Sequence, residues 1–492
     1  MRGKLQGALA PVIAVNRKNT VPLHRQIYDA FRAMILERRL QPGQQIPSTR
    51  TLAGDLGISR IPALDAYAQL LAEGYIESRH GAGTFVTRLL PDQHPIPKPA
   101  TGIARSIPTR MAISRAARRL PARNASPWVG GTGPFSVGQL AYDHFPFRAW
   151  SELVARHARR VSAVSMNYPD PLGFRPFREA VSAYLRTARA LDCDASQIMV
   201  VNGSQQALQM TALVLLDPDS PVWIEEPGYE LLRYALALSG CRPVPVPVDR
   251  EGLDVAAGIR MCRKARAAFV TPSHQYPLGS TMSAARRIHL LEWAHRSGSW
   301  IVEDDYDSEY RYESMPISSL QGLDRGRRVI YIGTFSKTLF PALRLGYIVI
   351  PQPLVDRFVA VRRACDLGPP HLYQAALADF ISEGHFARHI RRTRLLYAER
   401  HAALVSAIRD EFGSELEILG AEAGMHLVVT LPLGFSDRKI SARAARESLW
   451  LWPLSSAYIG KSPRHGFILG FGSTKATDMR RQVQHMRRVI EA

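Results

Sequence analysis

Gly333-Thr334-Phe335-Ser336-Lys337-Thr338 follows directly on the apolar run Val329-Ile330-Tyr331-Ile332, and Arg344 stands seven residues beyond the lysine. A short apolar run closed by a glycine-containing polar turn reads as a buried strand leaving a sheet. A strand-end lysine among hydroxyls and an arginine is the set that a phosphate-bearing aldehyde cofactor needs. The amine captures the aldehyde, and Ser, Thr and Arg hold the phosphate.

Outward from that point the pattern repeats. Ile198–Val201, Val222–Glu225, Ala267–Val270, Trp300–Val302 and Leu345–Ile350 are further strand candidates, with helical stretches such as Gln205–Leu216 and Ser283–Ser297 between several of them. The alternation predicts an α/β domain with a mainly parallel sheet, in which ligands gather where loops leave the strands. The notable polar residues fall there. Gly203-Ser204-Gln205 opens a helix after Val201, and free N–H groups at a helix start favour phosphate, although many capped helices look the same. Tyr229, in Glu226-Pro227-Gly228-Tyr229, offers a ring that by itself reads more readily as packing. Glu303-Asp304-Asp305-Tyr306-Asp307 puts consecutive carboxylates at a strand end, which suits a metal, an acid/base pair or a cationic ring nitrogen.

The chain has 492 residues and a formal charge of +20. That length predicts a small domain beside a large one, or two to four domains. With 46% hydrophobic and 22% charged residues, extensive disorder is excluded. No apolar run approaches the roughly 20 residues of a membrane span, and Met1-Arg2-Gly3-Lys4-Leu5-Gln6-Gly7 lacks the sustained apolar segment of a secretory signal. The four cysteines lack metal-type spacing, so neither a disulfide framework nor a metal site is expected. The charge is uneven: net +5 over residues 1–87, +7 over residues 88–124, and +8 over the remaining 368. Excess positive charge at one end points to a polyanion. The proline- and arginine-rich stretch predicts a linker over 88–134, whose Arg115, Arg118 and Arg119 either touch phosphates or stay solvated.

Residues 22–40 place Leu23, Ile27, Phe31 and Ile35 at four-residue spacing, one face of an amphipathic helix ended by Gln41-Pro42-Gly43. Ser48 caps a second helix stopped at Gly57, and Ser59 is expected to cap a third reaching Glu73, with Leu64, Tyr67 or Ala68, and Leu71 inward. Tyr75–Ser78 and Thr84–Thr87 then flank Arg79-His80-Gly81-Ala82-Gly83, a hairpin with a basic glycine-rich tip.

This arrangement resembles the winged helix-turn-helix of GntR-type bacterial regulators, carried by Pro47-Ser48-Thr49-Arg50, Ser59-Arg60 and Gly81-Ala82-Gly83-Thr84-Phe85-Val86. The resemblance implies that Arg50, Ser59, Arg60, Arg79 and His80 contact double-stranded promoter DNA. Any one of these arginines alone is more often solvated surface. Ile61-Pro62-Ala63 departs from the family's polar, threonine-containing turn. From about residue 135 to 485 the chain resembles fold-type I, pyridoxal-phosphate-dependent aminotransferases. The resemblance implies Lys337 as the Schiff-base lysine, Asp304, 33 residues before it, as partner of the pyridinium nitrogen, and Tyr306 of the ring hydroxyl. It further implies Tyr229 stacked on the ring, and Ser204, Gln205, Thr334, Ser336 and Arg344 around the phosphate. Tyr168 would reach the cofactor of the other subunit. In Thr271-Pro272-Ser273-His274-Gln275-Tyr276-Pro277, His274 or Tyr276 takes the place of the family's asparagine.

Winged helix (1–87), basic linker (88–134) and aminotransferase-like domain (135–492), in this order, resemble MocR/GabR-type transcriptional regulators. That family implies a cytoplasmic, nucleoid-associated protein, a head-to-tail homodimer that responds to an amino compound or to pyridoxal phosphate itself. The competing reading is a working aminotransferase with a DNA-binding appendage. One departure bears on the choice. Where aminotransferases carry a carboxylate-clamping arginine, the strand Gly466-Phe467-Ile468-Leu469-Gly470 offers Ile468, with Arg464 the nearest upstream arginine and the only candidate effector contact there.

Overall fold

The computed structural model describes residues 13–88, 113–121, 126–160, 162, 166–312, 318–460 and 462–492. The chain divides into two compact units, Met1–Met111 and Ala112–Ala492.

In the first unit, helix α1 (Leu23–Leu36) buries Ile27, Phe31 and Ile35 as the four-residue spacing predicts, and Tyr28 and Met34 widen the stripe. It stops earlier than expected. Arg38 takes a left-handed backbone, and the amides of Arg39 and Leu40 both return to the Met34 carbonyl. Helix α2 (Thr49–Asp55) is capped by the Ser48 hydroxyl, which accepts from the Thr51 amide. Strand β1 (Gln45–Ile46), too short to show alternation, joins the hairpin β2 (Ile76–Arg79) and β3 (Gly83–Val86) in the order β1-β3-β2, with Arg79 opposite Gly83 at the tip.

Helix α3 (Arg60–Ala72) differs from expectation twice. Its buried face is Ala63, Ala66, Tyr67 and Leu70, while Leu64 and Leu71 are exposed. Alanines let α3 approach α1 closely enough for the Phe31 and Tyr67 rings to meet edge-on at 5.4 Å. Ser59 makes no capping hydrogen bond. The third residue of α3, which a cap would engage, is Pro62, which has no N–H.

The second unit is built on an eight-stranded sheet. In chain order its strands are β4 (Ile198–Val201), β5 (Pro221–Glu226), β6 (Arg242–Asp249), β7 (Gly252–Leu253), β8 (Ala267–Val270), β9 (Trp300–Asp305), β10 (Val329–Thr334) and β11 (Gly346–Val349). They lie in the order β4-β11-β10-β9-β8-β5-β6-β7. From β10 through β9, β8 and β5 to β6 every pairing is parallel, and β11 runs antiparallel between β10 and β4. Both faces are covered, so the central strands are buried throughout. Met199, Val201, Ile330, Ile332 and Ile348 enter one core, and Ile198, Val200, Tyr331 and Tyr347 enter the other. A smaller lobe holds an antiparallel sheet of β12 (Ile418–Leu419), β13 (His426–Thr430), β14 (Trp452–Pro453) and β15 (Gly466–Gly470), ordered β12-β13-β15-β14. Phe135 is fully buried and bridges Gly470, and the Pro134 carbonyl accepts from the Trp450 amide. Of the stretch read as linker, residues 89–112 and 122–125 lie outside the described residues, and Arg115–Arg118 form one helical turn. All four cysteines are free. Among the described residues no helix is long and apolar enough to cross a membrane.

The two serines generate a paired expectation. Ser48→Ala should accelerate exchange at the Thr51 amide about fivefold, the cost of a lost cap near 1 kcal/mol. Ser59→Ala should leave exchange in α3 unchanged, as hydrogen-exchange mass spectrometry of the full chain would read.

Candidate functional site

The carboxyl ends of β4, β5, β8, β9 and β10 share one edge of the sheet, and the loops leaving them line a cleft of about 490 Å³. Ser204, Gln205, Tyr229, Tyr276, Asp304, Tyr306, Thr334, Ser336, Lys337 and Arg344 all line it, so ten of the residues named from sequence for this domain converge. The antiparallel course of β11 explains Arg344. Gly346 lies opposite both Thr334 and Val201, so the residue just ahead of β11 arrives at the edge where its parallel neighbours end. Arg344 has φ +52, and its Nη2 donates to the Asn202 carbonyl at 2.6 Å. Its guanidinium lies against Gly203, whose φ is +89 and where a Cβ would sit 3.4 Å from it.

The carboxylate run sorts itself by strand alternation. Glu303 and Asp305 point away from the cleft. Glu303 accepts from the Leu320 and Gln321 amides at 3.0 Å each, and Asp305 pairs with Arg189 at 2.7 Å and accepts from Tyr331 at 2.6 Å. Asp304 faces the cleft, and its Oδ1 is buried with no hydrogen-bond partner among the described residues. Glu303 and Asp305 are thus engaged on the opposite face, which leaves Asp304 and Asp307 of this run facing the cleft. Burial, followed by the nearby Asp305, Glu225 and Asp307 carboxylates, raises Asp304 to about 7. Burial lowers the Lys337 ammonium, against the opposing pull of Asp307 and Asp304. Glu225, behind the cleft, accepts from Thr271 Oγ1 at 2.6 Å and from the Thr271 amide at 3.1 Å.

His274 does not line the cleft. Its Nδ1 donates to Asp307 at 3.0 Å, its backbone carbonyl accepts from the Tyr306 hydroxyl at 2.9 Å, and its Nε2 is buried without a hydrogen-bond partner among the described residues. Tyr276, the other candidate in that loop, does line it. Sequence reasoning missed His426, at the start of β13. Its Nε2 donates to the Pro277 carbonyl at 3.1 Å, and burial, then His274, lowers it to about 3, leaving a neutral ring with Nδ1 as an acceptor. His274, Asp307 and His426 offer ligand-type atoms within 4.8 Å of one another, all buried. Met425 and Trp452 of the smaller lobe complete that wall, and no motif had singled them out.

Two named residues lie elsewhere. Tyr168 is exposed and apart from the cleft, and Arg464 is exposed just ahead of β15. Ile468 is fully buried against Val428 and Leu454, so Arg344 is the one arginine among the described cleft-lining residues. On the first unit, Arg50, Ser59, Arg60, Arg79 and His80 are all exposed, on α2, at the start of α3 and at the hairpin tip. Arg60 Nε donates to Thr49 Oγ1 at 3.2 Å, and Arg79 pairs with Glu77 at 2.6 Å.

Residues 134–459 match the model for aminotransferase class I and II, and residues 23–86 match that for bacterial regulatory proteins of the gntR family. The chain is 40% identical over 480 residues, 97% of its length and 95% of the relative's, to the probable rhizopine catabolism regulatory protein MocR of Rhizobium meliloti. It is 30% identical over 466 residues, 94% of each chain, to the pyridoxine biosynthesis transcriptional regulator PdxR of Corynebacterium glutamicum. Among solved structures it is similar to the α-aminoadipate aminotransferase LysN of Thermus thermophilus, complexed with N-(5'-phosphopyridoxyl)-L-leucine, with a TM-score of 0.71, 27% identity and coverage of 77% of this chain and 97% of that one.

Gly424, next to cleft-lining Met425, has no room for a side chain. Its φ is +76, and a Cβ there would lie 2.0 Å from His274 Cε1 and 2.7 Å from Asp307 Oδ2. Gly424→Ala should therefore lower the unfolding free energy by roughly 2–4 kcal/mol. Thermal unfolding would show it as a drop of several degrees, whereas alanine at exposed Gly460, which has open space and no left-handed backbone, should cost far less.

Proposed function

Because the chain belongs to the MocR-type regulators, a gntR-family helix-turn-helix joined to an aminotransferase class I and II domain, we propose that its large unit is the sensor of a transcription factor and that the Lys337 cleft receives the signal. The protein binds DNA through its first unit and pyridoxal phosphate in its second. Relatives of its aminotransferase fold are dimeric, and we assign this chain a head-to-tail homodimer acting on DNA in the cytoplasm, in association with the nucleoid.

The observation that carries the reading is the unpartnered, buried Asp304 Oδ1 in the same cleft as a lysine whose charge is disfavoured. A pyridinium N–H is the donor that Asp304 lacks, and a neutral Lys337 amine is the form able to attack a carbonyl carbon. When bound, pyridoxal phosphate supplies an aldehyde that an amine captures reversibly. The chain's own residues do the rest. Ser204, Gln205, Thr334, Ser336 and Arg344 hold the phosphate, Tyr306 meets the ring hydroxyl, and Tyr229 covers the ring. Tyr168 serves the cleft of a second copy. An incoming amino compound, or the cofactor itself, then biases the dimer between arrangements of its DNA-binding units. It does so only to the extent that it binds one arrangement more tightly. The absence of a clamp arginine at Ile468, with Arg464 outside the cleft, favours this reading over a general amino-acid transaminase.

Three measurements test it. The purified protein should show the visible absorbance of lysine-bound cofactor, and Lys337→Ala should lose it; a colourless wild type indifferent to added pyridoxal phosphate would sink the sensor. Asp304, near 4 in an unfolded chain and about 7 when buried, holds its proton more tightly when folded. Its folded carboxyl therefore loses stability as pH rises through that value. A cationic ring restores the balance, so the gain in Tm on adding pyridoxal phosphate should be larger at pH 8 than at pH 6, and Asp304→Asn should abolish the difference. Arg50→Ala with Arg60→Ala should weaken promoter binding at least tenfold and flatten its salt dependence.

A further inference from the structure

The first turn of α3 presents carbon where a DNA-reading helix usually presents polar groups. Ile61 is 67% exposed, the most exposed large apolar side chain among the described residues of the first unit. Leu64, Ala68 and Leu71, also exposed, continue the stripe at spacings of three, four and three. Arg60, just ahead of Ile61, is folded back onto Thr49. Pro62 removes the amide that Ser59 would have capped, so the Ser59 hydroxyl stays available at the helix entrance.

In a helix-turn-helix the N-terminal residues of the second helix reach base edges in the major groove. The apolar group on those edges is the thymine 5-methyl. The stripe starts in that first turn next to Arg60, and Arg50, Arg79 and His80 are exposed on α2 and at the hairpin tip of the same unit, positive charge suited to phosphates. We propose that Ile61, with Leu64 behind it, reads the operator by packing on thymine methyl groups, while Ser59 and the arginines fix the register on phosphates. The inference rests on the first unit being the DNA-binding module, and it adds the base that this module selects.

The test uses the full-length protein and a random-sequence duplex library. The enriched site is then resynthesised with deoxyuridine for thymidine, one position at a time, a change that removes only the methyl. Loss of affinity of about fourfold per methyl at one or two positions in each half-site supports the inference. So does Ile61→Ala erasing that difference at one of them while keeping residual binding. Equal affinity for the uridine and thymidine sites at every position overturns it. A methyl preference that survives both Ile61→Ala and Leu64→Ala overturns it as well. If Ile61→Ala leaves DNA binding intact and changes the sedimentation of the protein, the stripe packs on a protein surface and the inference fails. Failure to enrich any duplex would remove the DNA-binding reading and this inference with it. Enrichment without methyl dependence removes the inference alone.

Discussion

Burial of Asp304 beside Lys337 is the interaction on which the second unit turns. A carboxylate with an oxygen unpartnered among the described residues, in a low-dielectric cleft, is unstable in its charged form, and an amine there is unstable in its own. The surroundings do not relieve either one fully. Glu303 and Asp305 are satisfied on the far side of the strand by backbone amides and by Arg189, and Asp307 is engaged by His274. What remains is a polarised cleft in the domain that binds pyridoxal phosphate, with a buried carboxyl and a buried amine facing it.

Much of this was legible from residue order, and for a physical reason. In a parallel sheet covered on both faces, strands read as apolar runs, so the polar residues closing each run stand out and share one edge. Lys337, Asp304, Ser204, Tyr229 and Thr334 were found that way. His426, Met425 and Trp452 were not, because they belong to a separate antiparallel sheet and reach the cleft only through the packing of the smaller lobe. Arg464 was considered only for its proximity in sequence to the clamp position. It stays outside the cleft, on the separate sheet of the smaller lobe, while Arg344, ahead of antiparallel β11, arrives inside it.

The first unit teaches a different lesson about periodicity. In α3 the larger apolar residues at four- and three-residue spacing looked like a core face, yet the core took Ala63, Ala66, Tyr67 and Leu70. Small side chains win where two helices must approach closely, and the hydrophobic count alone is blind to that. The missing Ser59 cap has a local cause as well. It was readable from Pro62, three residues on, had the capping rule been applied to the donor as well as to the acceptor.

The placement of β11 also shapes how the molecule can be made. Among the described residues strand β4 has β11 as its only partner, pairing Ile198 with Val349, so one edge of the sheet waits for about 150 further residues to be synthesised. Contacts that distant in sequence form late and leave apolar strands exposed meanwhile. The winged unit closes its own hairpin and helices over residues 23–86 and needs none of that delay. On the ribosome, the part that finds DNA is complete while the part that governs it is still an unfinished sheet.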